Sequence, residues 1–294
     1  ALSFGSVDSM GTYRRLTLYV KDLAIQQIDR SQEIKGPPEN IAVDPEGNYT
    51  KAGQGFLKKN KVSGGYVSDG YLYAHIEHKG QKTIDVLPNL IRELLGSLHL
   101  PVAMKWGVGS GPFIRPVHWI CSLYGTSILP LTFTDIKADR ITHGHRFLSK
   151  GTTLNGQAIS LSSPQEYVSS LKKHFVLVQN NDRKEHIRQQ ISKLYPDTFL
   201  DAELLSEVTQ LVEWPHVLTG QFDTAFLEVP ERILVTTMKK HQKYFPVYNN
   251  SKLSEKFIIV ADNVTDQNHE TIIRGNEKVL RARLHDARFY YQED

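Results

Sequence analysis

The sequence predicts an α+β fold in which a mainly antiparallel sheet packs against helices and is interrupted by a helical insertion. Three patterns lead to this prediction. Apolar and polar residues alternate along short runs such as 71–78, as they do in half-buried strands. Two apolar runs within 116–133 are separated by Gly125, as in a β-hairpin. Residues 163–212 carry apolar side chains at helical spacing throughout.

These patterns divide the chain into three parts. Residues 1–162 are the first part of the α+β domain, residues 163–212 are the helical insertion, and residues 213–294 return to the sheet and end in a basic helix. A chain of 294 residues with 40% hydrophobic content is long enough to bury a substantial core.

The first part opens with a small, polar segment, 1–12, which predicts a loose lead-in. In the strand that follows, Leu16, Leu18 and Val20 alternate with polar positions. Alternation places such residues on one face, so we expect them to point to the core and Arg15 to lie on the opposite face.

Turn residues and a helical pattern follow. The glycines and prolines of 35–60 predict an irregular excursion, and those of 107–112, with Gly109 at the centre, predict an irregular loop or tight turn rather than a phosphate-binding loop. Thr83 is expected to cap a helix whose apolar residues recur at helical spacing as far as Leu98. We expect that helix to pack on the sheet.

The remaining two parts predict helices, a strand pair and a final helix. Pro164 suits the first position of a helix after a serine, and Pro196 stops the second helix of the insertion, whose charged faces we interpret as solvated. A further helix begins at Pro230–Glu231, and strands at 244–248 and 257–261 flank a turn at Asn249–Asn250. The last helix is expected at about 276–292.

The last helix combines two stripes at helical spacing. Its basic stripe consists of Lys278, Arg281, His285 and Arg288, and an apolar stripe lies beside it. A row of cations suits the phosphate backbone of a nucleic acid. The alternative is a solvated face, or one that is salt-bridged by the acidic residues of the same helix, Glu277 and Asp286.

The segment 104–147 is rich in Trp, Arg, His, Gly and Pro. His143 and His145 are two residues apart, so on a strand they would face the same side and could share a metal ion. No third ligand lies at a diagnostic spacing, and histidines beside Arg146 more often contact phosphate or water. We therefore predict no metal site.

Composition limits the function classes only loosely. A net charge of +3 and a pI near 8.7 permit nucleic-acid binding without requiring it. One cysteine suits a reducing compartment, and no apolar run approaches the roughly 20 residues of a membrane span. We expect a cytoplasmic protein that has no membrane partner.

Six sequence strings occur together in one order. They are RRL at 14–16, MKWG followed by FIRPVHW, GHRF at 144–147, LVEWP at 211–215, MKKHQKYFPV at 238–247 and GNEKVLRARLHDARFYYQED at 275–294. With them, nearly the whole chain resembles the beta subunit of the bacterial-type heterotetrameric glycyl-tRNA synthetase. The resemblance implies an N-terminal and central fragment that lacks the HD-type and anticodon-binding domains of that family. Among tRNA synthetases, the fold is expected to be similar to the B3/B4-type module of the phenylalanyl enzyme's beta subunit.

The resemblance also implies a function. The holoenzyme of this family uses ATP and Mg²⁺ on its alpha subunit to activate glycine and attaches the glycine to tRNA(Gly). The beta subunit is then a tRNA-binding and assembly partner in an alpha2beta2 enzyme or a fused alpha–beta chain, and this fragment is expected to need no cofactor and to be inactive alone. Two alternatives stay open: a hydrolytic, editing-type site around Arg115, His118, His143 and His145, and a purely structural interface for the alpha subunit.

The candidate tRNA contacts are cationic or titratable residues within the matching strings or beside them. Lys239, Lys240 and Lys243 adjoin Tyr244, and cations beside aromatics are typical of single-stranded RNA surfaces, although lysines also suit a helix C-terminus. No catalytic residue is predicted. The full candidate set is Arg15, Arg115, His143, His145, Arg146, Lys239, Lys240, Lys243, Arg274, Lys278, Arg281 and Arg288.

Overall fold

The computed structural model describes residues 1–107, 110–151 and 154–293. It confirms the α+β class, with helices and several small antiparallel sheets. The chain forms two compact units: unit 1 comprises Ala1–Val7 and Val20–Leu98, and unit 2 comprises Asp8–Tyr19 and His99–Asp294. The three-part division at 162 and 212 stays a prediction.

The strands are short, and most belong to two- or three-stranded sheets. In chain order they are β1 (Val7–Thr12), β2 (Arg15–Val20), β3 (Arg30–Pro38), β4 (Tyr66–Ser68), β5 (Tyr71–His78), β6 (Met104–Trp106), β7 (Ser110–Phe113), β8 (Leu123–Tyr124), β9 (Ser127–Ile128), β10 (Thr132–Phe133), β11 (Ile136–Lys137), β12 (Ile141–His143), β13 (Ala158–Ser160), β14 (His216–Gln221), β15 (Phe245–Asn249) and β16 (Lys252–Ala261).

The helices cluster in three stretches of the chain. They are α1 (Glu39–Ala42), α2 (Lys51–Lys59), α3 (Thr83–Ser97), α4 (Tyr167–Lys173), α5 (Asn180–Leu194), α6 (Ala202–Gln210), α7 (Glu231–Thr236) and α8 (His269–Glu293). A π-helical turn, Thr237–Gln242, continues α7. No helix in the described part of the chain has the length and apolar character needed to cross a bilayer.

Unit 1 is built on the antiparallel sheet β3-β5-β4. The helices α1 and α2 cover this sheet, with Ala42, Leu57 and Leu72 buried among them. The predicted irregular excursion at 35–60 is therefore wrong. The hydroxyl of Thr50 accepts a hydrogen bond from the backbone N–H of Gly53, and this cap together with the packing of Leu57 makes the glycine-containing segment helical.

The helix predicted near Thr83 is confirmed as α3, but its surroundings differ from the expectation. Lys82 precedes the first helical residue, and the buried hydroxyl of Thr83 donates to the carbonyl of Ala24 instead of capping the helix. Leu90 and Leu94 are each 47% exposed. Two apolar residues of the helix that was expected to pack on the sheet are therefore about half exposed to solvent, whereas Pro88 is buried.

The centre of unit 2 is the antiparallel sheet β14-β16-β15, with helices on both faces. Alternate residues of β16 face opposite sides. Phe257 and Ile259 pack with Leu280 and Leu284 of α8, whereas Ile258 packs against the helices α5 and α6. A third core forms where β13 meets α4. The position of α8 is thus fixed by its apolar residues, which leaves its polar face outward.

Several sequence predictions are confirmed in unit 2. Residues 163–212 contain α4, α5 and α6, and α5 ends at Leu194, just before Pro196. The strands β15 and β16 pair as predicted, although the turn residues are Asn250 and Ser251, both with positive φ. The last helix begins at His269, seven residues earlier than expected from a start at Asn276.

Three hairpins differ from the sequence predictions in detail. The predicted hairpin at Gly125 is confirmed, but β8 and β9 are only two residues long each. The lead-in 1–12 contains β1, which pairs with β2, so it is not loose throughout. The strands β6 and β7 form a hairpin across the segment for which an irregular loop or tight turn was predicted. Gly109, which was placed at the centre of the predicted loop, lies outside the described residues.

Candidate nucleic-acid interface

Arg15 lies inside unit 2, not on an outer strand face. Its Nε is 2.7 Å from Oε1 of Glu213, and the two side chains are 2% and 0% exposed. Its two terminal nitrogens donate to the carbonyls of His143 at 2.7 Å and Gly144 at 3.0 Å. All three nitrogens of this guanidinium are thus bonded within the protein.

The inner and outer faces of the strand that carries Arg15 are therefore the opposite of those predicted. Leu16 is 70% exposed and Leu18 is 55% exposed, whereas Arg15 is 7% exposed as a whole residue. The predicted core face of this strand is wrong. The physical reason is the carboxylate of Glu213, which compensates the buried charge and makes the polar face the inner one.

His145 belongs to the same interior. Its Nδ1 accepts hydrogen bonds from the backbone N–H groups of Phe147 at 3.2 Å and Leu148 at 3.0 Å. A nitrogen that accepts two N–H groups cannot carry a proton, so the ring proton is on Nε2. That nitrogen lies 3.1 Å from Oδ2 of Asp262, and the His145 side chain is fully buried. Both ring nitrogens therefore face protein groups.

Asp262 links the histidine to the segment that contains Glu213. Its carboxylate accepts hydrogen bonds from the backbone N–H groups of Glu213 at 2.6 Å and Trp214 at 2.8 Å and from the hydroxyl of Tyr13 at 2.8 Å. Burial alone would raise the pKa of Asp262, but His145 and these donors stabilise its charged form more, and the pKa is lowered. Burial and the Asp262 carboxylate together raise the pKa of Tyr13.

His143 has different surroundings. Its ring packs edge-on against Trp119, with ring centroids 4.9 Å apart, and the guanidinium groups of Arg14 and Arg15 lie 5.7 and 5.3 Å from the centre of the Trp119 ring. Burial, with the two arginine charges, lowers the pKa of His143. The strand β12 ends at His143, so His145 does not share a strand face with it.

The described residues contain no group of three histidine, cysteine or acidic side chains placed to hold a metal ion. Burial and the charge of Asp139 raise the pKa of the Cys121 thiol to about 11, so the thiol is protonated at neutral pH.

Unit 1 has a shallow cleft of about 220 Å³. Two short polar segments line it, 29–31 and 77–79. This volume is smaller than that of typical ligand pockets.

The histidines and arginine named for a hydrolytic site do not converge. The buried cluster of unit 2 consists of Arg15, Glu213, His145 and Asp262. Arg115 and His118 are exposed, His143 packs on Trp119, and His145 is fully buried. A general base must reach a proton directly or through one water molecule. Both ring nitrogens of His145 face protein groups, so the geometry offers no base of that kind there. Arg146 is exposed, with its guanidinium over the Phe147 ring.

The three lysines of the MKKHQKYFPV segment also have different environments. Lys239 forms an ion pair with Asp201, the residue that caps α6. Lys243 forms another with Glu207, at 2.7 Å. Of the three, Lys240 alone is exposed, whereas Lys239 and Lys243 are half-buried. Two of these candidate RNA contacts are therefore engaged in fixing α6 beside the π-helical turn.

The outward face of α8 presents the clearest candidate surface. Arg274, Lys278 and Arg281 are exposed, lie at helical spacing on one face, and form no ion pair or hydrogen bond with a described residue. We call these three residues the α8 basic face. Leu280 and Leu284, on the neighbouring face of the helix, are 0% exposed and anchor it.

The basic stripe predicted from the sequence is divided in the structure. The rings of His285 and Phe226 meet edge-on at 4.9 Å, and the guanidinium of Arg288 lies 5.0 Å from the Phe226 ring centre. Glu277 accepts a hydrogen bond from the backbone N–H of Gln221 at 2.9 Å, so it is turned toward β14. The C-terminal half of the stripe packs on the protein, and only the N-terminal half is free of contacts with described residues.

Sequence reasoning missed Glu213, Asp262 and Trp119 as partners of the candidate residues. Glu213 lies within a matching string, but its bond to Arg15 joins residues 198 apart in sequence. Asp262 is 49 residues from the amide whose hydrogen bond it accepts. No spacing rule covers such separations. Arg15 is buried because its side of the strand faces inward, and that orientation is set by tertiary contacts and not by residues close in the chain.

Comparisons with known proteins agree with one another. The model of the family described as "Glycyl-tRNA synthetase beta subunit" matches residues 1–294. Three relatives named glycine–tRNA ligase beta subunit are 40% identical over 303 residues (Listeria monocytogenes serotype 4a), 41% over 307 (Bacillus subtilis) and 40% over 306 (Desulforamulus reducens). Each alignment covers 100% of this chain and 43% of the relative, so the chain spans less than half of their length. Because the family model covers all 294 residues, the chain belongs to the glycyl-tRNA synthetase beta subunit family.

Proposed function

We propose that this chain is a tRNA-binding and assembly portion of a glycine–tRNA ligase beta subunit. In this proposal the whole enzyme attaches glycine to tRNA(Gly) at the expense of ATP, with Mg²⁺ and the adenylate-forming site on the alpha subunit. The partners are the alpha subunit, as a separate chain in an alpha2beta2 enzyme or fused to beta, and tRNA(Gly). The observation that supports RNA binding is the α8 basic face, whose three cations have no partner among the described residues.

The geometry of this face suits a phosphate backbone. At 1.5 Å per residue, Arg274 and Arg281 are about 10 Å apart along the helix axis, with Lys278 between them. The helix is held by Leu280 and Leu284 in the core of unit 2, so the three cations are presented from a rigid support. Neutralising phosphates releases counterions, which makes such binding strongly dependent on salt.

Neither alternative has an observation of its own in favour of it. The hydrolytic alternative requires an accessible base, and His145 is fully buried with both ring nitrogens facing protein groups. The purely structural alternative leaves the α8 basic face without a role. Cationic surfaces also occur at protein interfaces, so the experiment must separate loss of RNA from loss of the alpha subunit.

The test uses the full-length beta subunit assembled with alpha and carrying Lys278→Glu and Arg281→Glu. A matched control carries the same charge change at two exposed lysines elsewhere in unit 2, Lys137→Glu and Lys193→Glu. We expect the α8 variant to lose tRNA(Gly) affinity, and the slope of log affinity against log salt to become shallower by about 1.5 to 2. Glycylation at limiting tRNA should fall in parallel, and the control should behave like the wild type.

Two outcomes would contradict the proposal. Equal tRNA affinity and salt slope in the α8 variant and the wild type would show that this face does not bind RNA. Unchanged tRNA binding with weakened capture of the alpha subunit would instead identify α8 as a protein interface. Circular dichroism melting of both variants checks that any loss is not caused by unfolding.

A further inference from the structure

The helix α2 of unit 1 carries an unusual charge distribution. Lys51, Lys58 and Lys59 are exposed, and the segment 51–61 contains no aspartate or glutamate. None of the three lysines is paired with a described acidic residue. The opposite side of the helix is occupied by Leu57, which packs in the core of unit 1. The charge on the outward face of α2 is therefore purely cationic.

Helix stability does not account for this distribution. Lys58 and Lys59 are in the last turn, where cations interact favourably with the helix dipole. Lys51 is the first helical residue, and the first turn contains no acidic residue. A cation at that end opposes the dipole. The lysines of α2 therefore share one face of the helix, and the helix dipole does not account for the lysine at its N-terminal end.

A glycine occupies the middle of the same face. Lys51, Gly55, Lys58 and Lys59 are separated by four, three and one residues, which places them together on the outward side. A Cβ added at Gly55 would meet no heavy atom of a described residue within 4 Å, and its φ is not in the left-handed region. Glycine destabilises a helix relative to alanine, so neither packing nor backbone conformation explains it.

Gly53 in the same helix shows the contrast. A Cβ there would clash with the carbonyl oxygen of Ala42, so this glycine is required for the contact between α1 and α2. Gly55 has no such neighbour in the part of the chain that the structure describes. It leaves a low, flat position bordered by three ammonium groups, and such a position allows a partner to approach the helix backbone closely.

The chemistry of the face selects among partners. Its exposed positions, which also include Ala52 and Gln54, are basic, small or polar, with no aromatic or large aliphatic side chain. Protein interfaces depend on buried aromatic and aliphatic anchors at their centre. Nucleic-acid interfaces are polar and positively charged. A polyanionic sugar–phosphate strand fits this face better than a folded protein surface does.

We propose that the α2 lysine face, formed by Lys51, Gly55, Lys58 and Lys59, is a second contact for the phosphate backbone of RNA. The proposal rests on the proposed tRNA-binding function and adds a surface in unit 1 to the α8 basic face in unit 2. A similar pattern occurs on α8, where Gly275 adjoins Arg274. A Cβ added at Gly275 would likewise meet no described heavy atom within 4 Å.

The experiment separates bulk from charge in the full-length beta subunit assembled with alpha. Gly55→Gln adds an uncharged side chain at the centre of the face. Gly96→Gln is the matched control, because Gly96 is an exposed glycine of α3 with open space among the described residues and no neighbouring lysine. The one arginine a turn away, Arg92, donates a hydrogen bond to Asn89. Lys58→Gln combined with Lys59→Gln removes two charges. The readout is tRNA(Gly) affinity at a series of salt concentrations, with thermal melting of each variant.

We expect Gly55→Gln to weaken tRNA binding about 3- to 10-fold without lowering the melting temperature, and Gly96→Gln to leave binding unchanged. The double lysine variant should weaken binding and make the salt slope shallower by roughly 1 to 2. If Gly55→Gln binds tRNA as tightly as the wild type does, RNA does not approach the backbone of α2 closely. The proposal would then be wrong, whatever the effect of the double lysine variant. Loss of alpha capture with intact tRNA binding would overturn it in favour of a protein partner.

The Lys278→Glu/Arg281→Glu variant, measured beside these, distinguishes the two proposals. If it loses tRNA and the α2 variants do not, RNA binding at α8 stands and the α2 inference is wrong. If none of the variants affects tRNA binding, the proposed function of this chain fails as well.

Discussion

Arg15 lies in the interior because Glu213 and two backbone carbonyls replace the water that its guanidinium loses. Such a buried pair contributes little net stability over a well-packed apolar pair, since desolvation offsets the attraction. Removing one member of the pair is strongly destabilising, because the other charge is left buried without compensation. The pair therefore acts as a structural requirement of unit 2 rather than as a ligand site.

Glu213→Gln should destabilise the protein by about 3 to 5 kcal/mol, measured as the free energy of urea unfolding. The physical reason is the uncompensated charge of Arg15. Glu185→Gln is the control, because Glu185 pairs with Arg188 at 3.8 Å where both side chains are 54% exposed. That change should cost less than about 1 kcal/mol.

Replacing both Arg15 and Glu213 by apolar residues removes the two buried charges together. The double variant Arg15→Met with Glu213→Leu should be more stable than Glu213→Gln alone, because no charge is left buried. A double variant less stable than the single one would show that the hydrogen bonds from Arg15 to the carbonyls of His143 and Gly144 matter more than the charge balance.

At the scale of the element, α2 shows why some helices could not be predicted from the sequence. Gly53 and Gly55 argue against a helix by propensity. The helix forms because Thr50 caps it and Leu57 packs with the sheet residue Leu72. The packing of Leu57 on Leu72 is a tertiary contact, which local sequence patterns do not reveal. The helices of 163–212 have strong apolar periodicity and were predictable, as was α8 apart from its first turns.

The two glycines of α2 should respond in opposite directions to alanine. Gly53→Ala places a Cβ against the carbonyl oxygen of Ala42, and such overpacking costs about 1 to 3 kcal/mol. Gly55→Ala enters open space in a helical conformation and should stabilise by about 0.5 to 1 kcal/mol. Thermal and urea unfolding of the two variants measures both. A destabilising effect of Gly55→Ala would mean that the outward side of α2 is in contact with another part of the protein.

The helix α8 allows a second pair of substitutions that separates packing from surface charge. Arg288→Ala removes the guanidinium from the Phe226 ring and should destabilise by about 0.5 to 1 kcal/mol. Arg281→Ala removes an exposed side chain with no partner among the described residues and should change stability by less than about 0.5 kcal/mol. Urea unfolding gives the stabilities. We expect Arg281→Ala to weaken tRNA binding. If Arg281→Ala lowered stability and Arg288→Ala did not, the division of the basic stripe into a packed half and an exposed half would be contradicted.

At the scale of the whole molecule, the sequence predicted the outward basic face of α8 but not the buried cluster of unit 2. Helical spacing is a local property, so the face that carries Lys278 and Arg281 could be recognised from residues close in the chain. The cluster joins residues 198 apart, as in Arg15 and Glu213, and 249 apart, as in Tyr13 and Asp262. Contacts of this kind depend on how the strands and helices of unit 2 assemble.

The same assembly determines how stability depends on pH. Burial is the largest cause of the lowered pKa values of His143, His186 and His216. The charges of Arg15 and Arg14 lower the pKa of His143 further, and the charge of Lys172 lowers that of His186 further. A histidine whose pKa is lower in the folded state binds its proton more readily when the chain is unfolded. The unfolded state therefore takes up more protons as the pH falls, and stability decreases. The decrease should begin near the ordinary histidine pKa, about 6.5, and continue until the pH is below the folded-state values.

We expect the free energy of unfolding, measured in urea at a series of pH values from about 7.5 down to about 5, to fall through this series. Asp262 does not contribute in this range: its pKa is lowered from an already acidic value, so the stability that it provides is lost only in stronger acid. His143→Gln should make the dependence shallower, and His241→Gln, a change at an exposed residue of the π-helical turn, is the control. Equal slopes for the wild type and His143→Gln would show that the packing of this ring on Trp119 does not exclude its charged form.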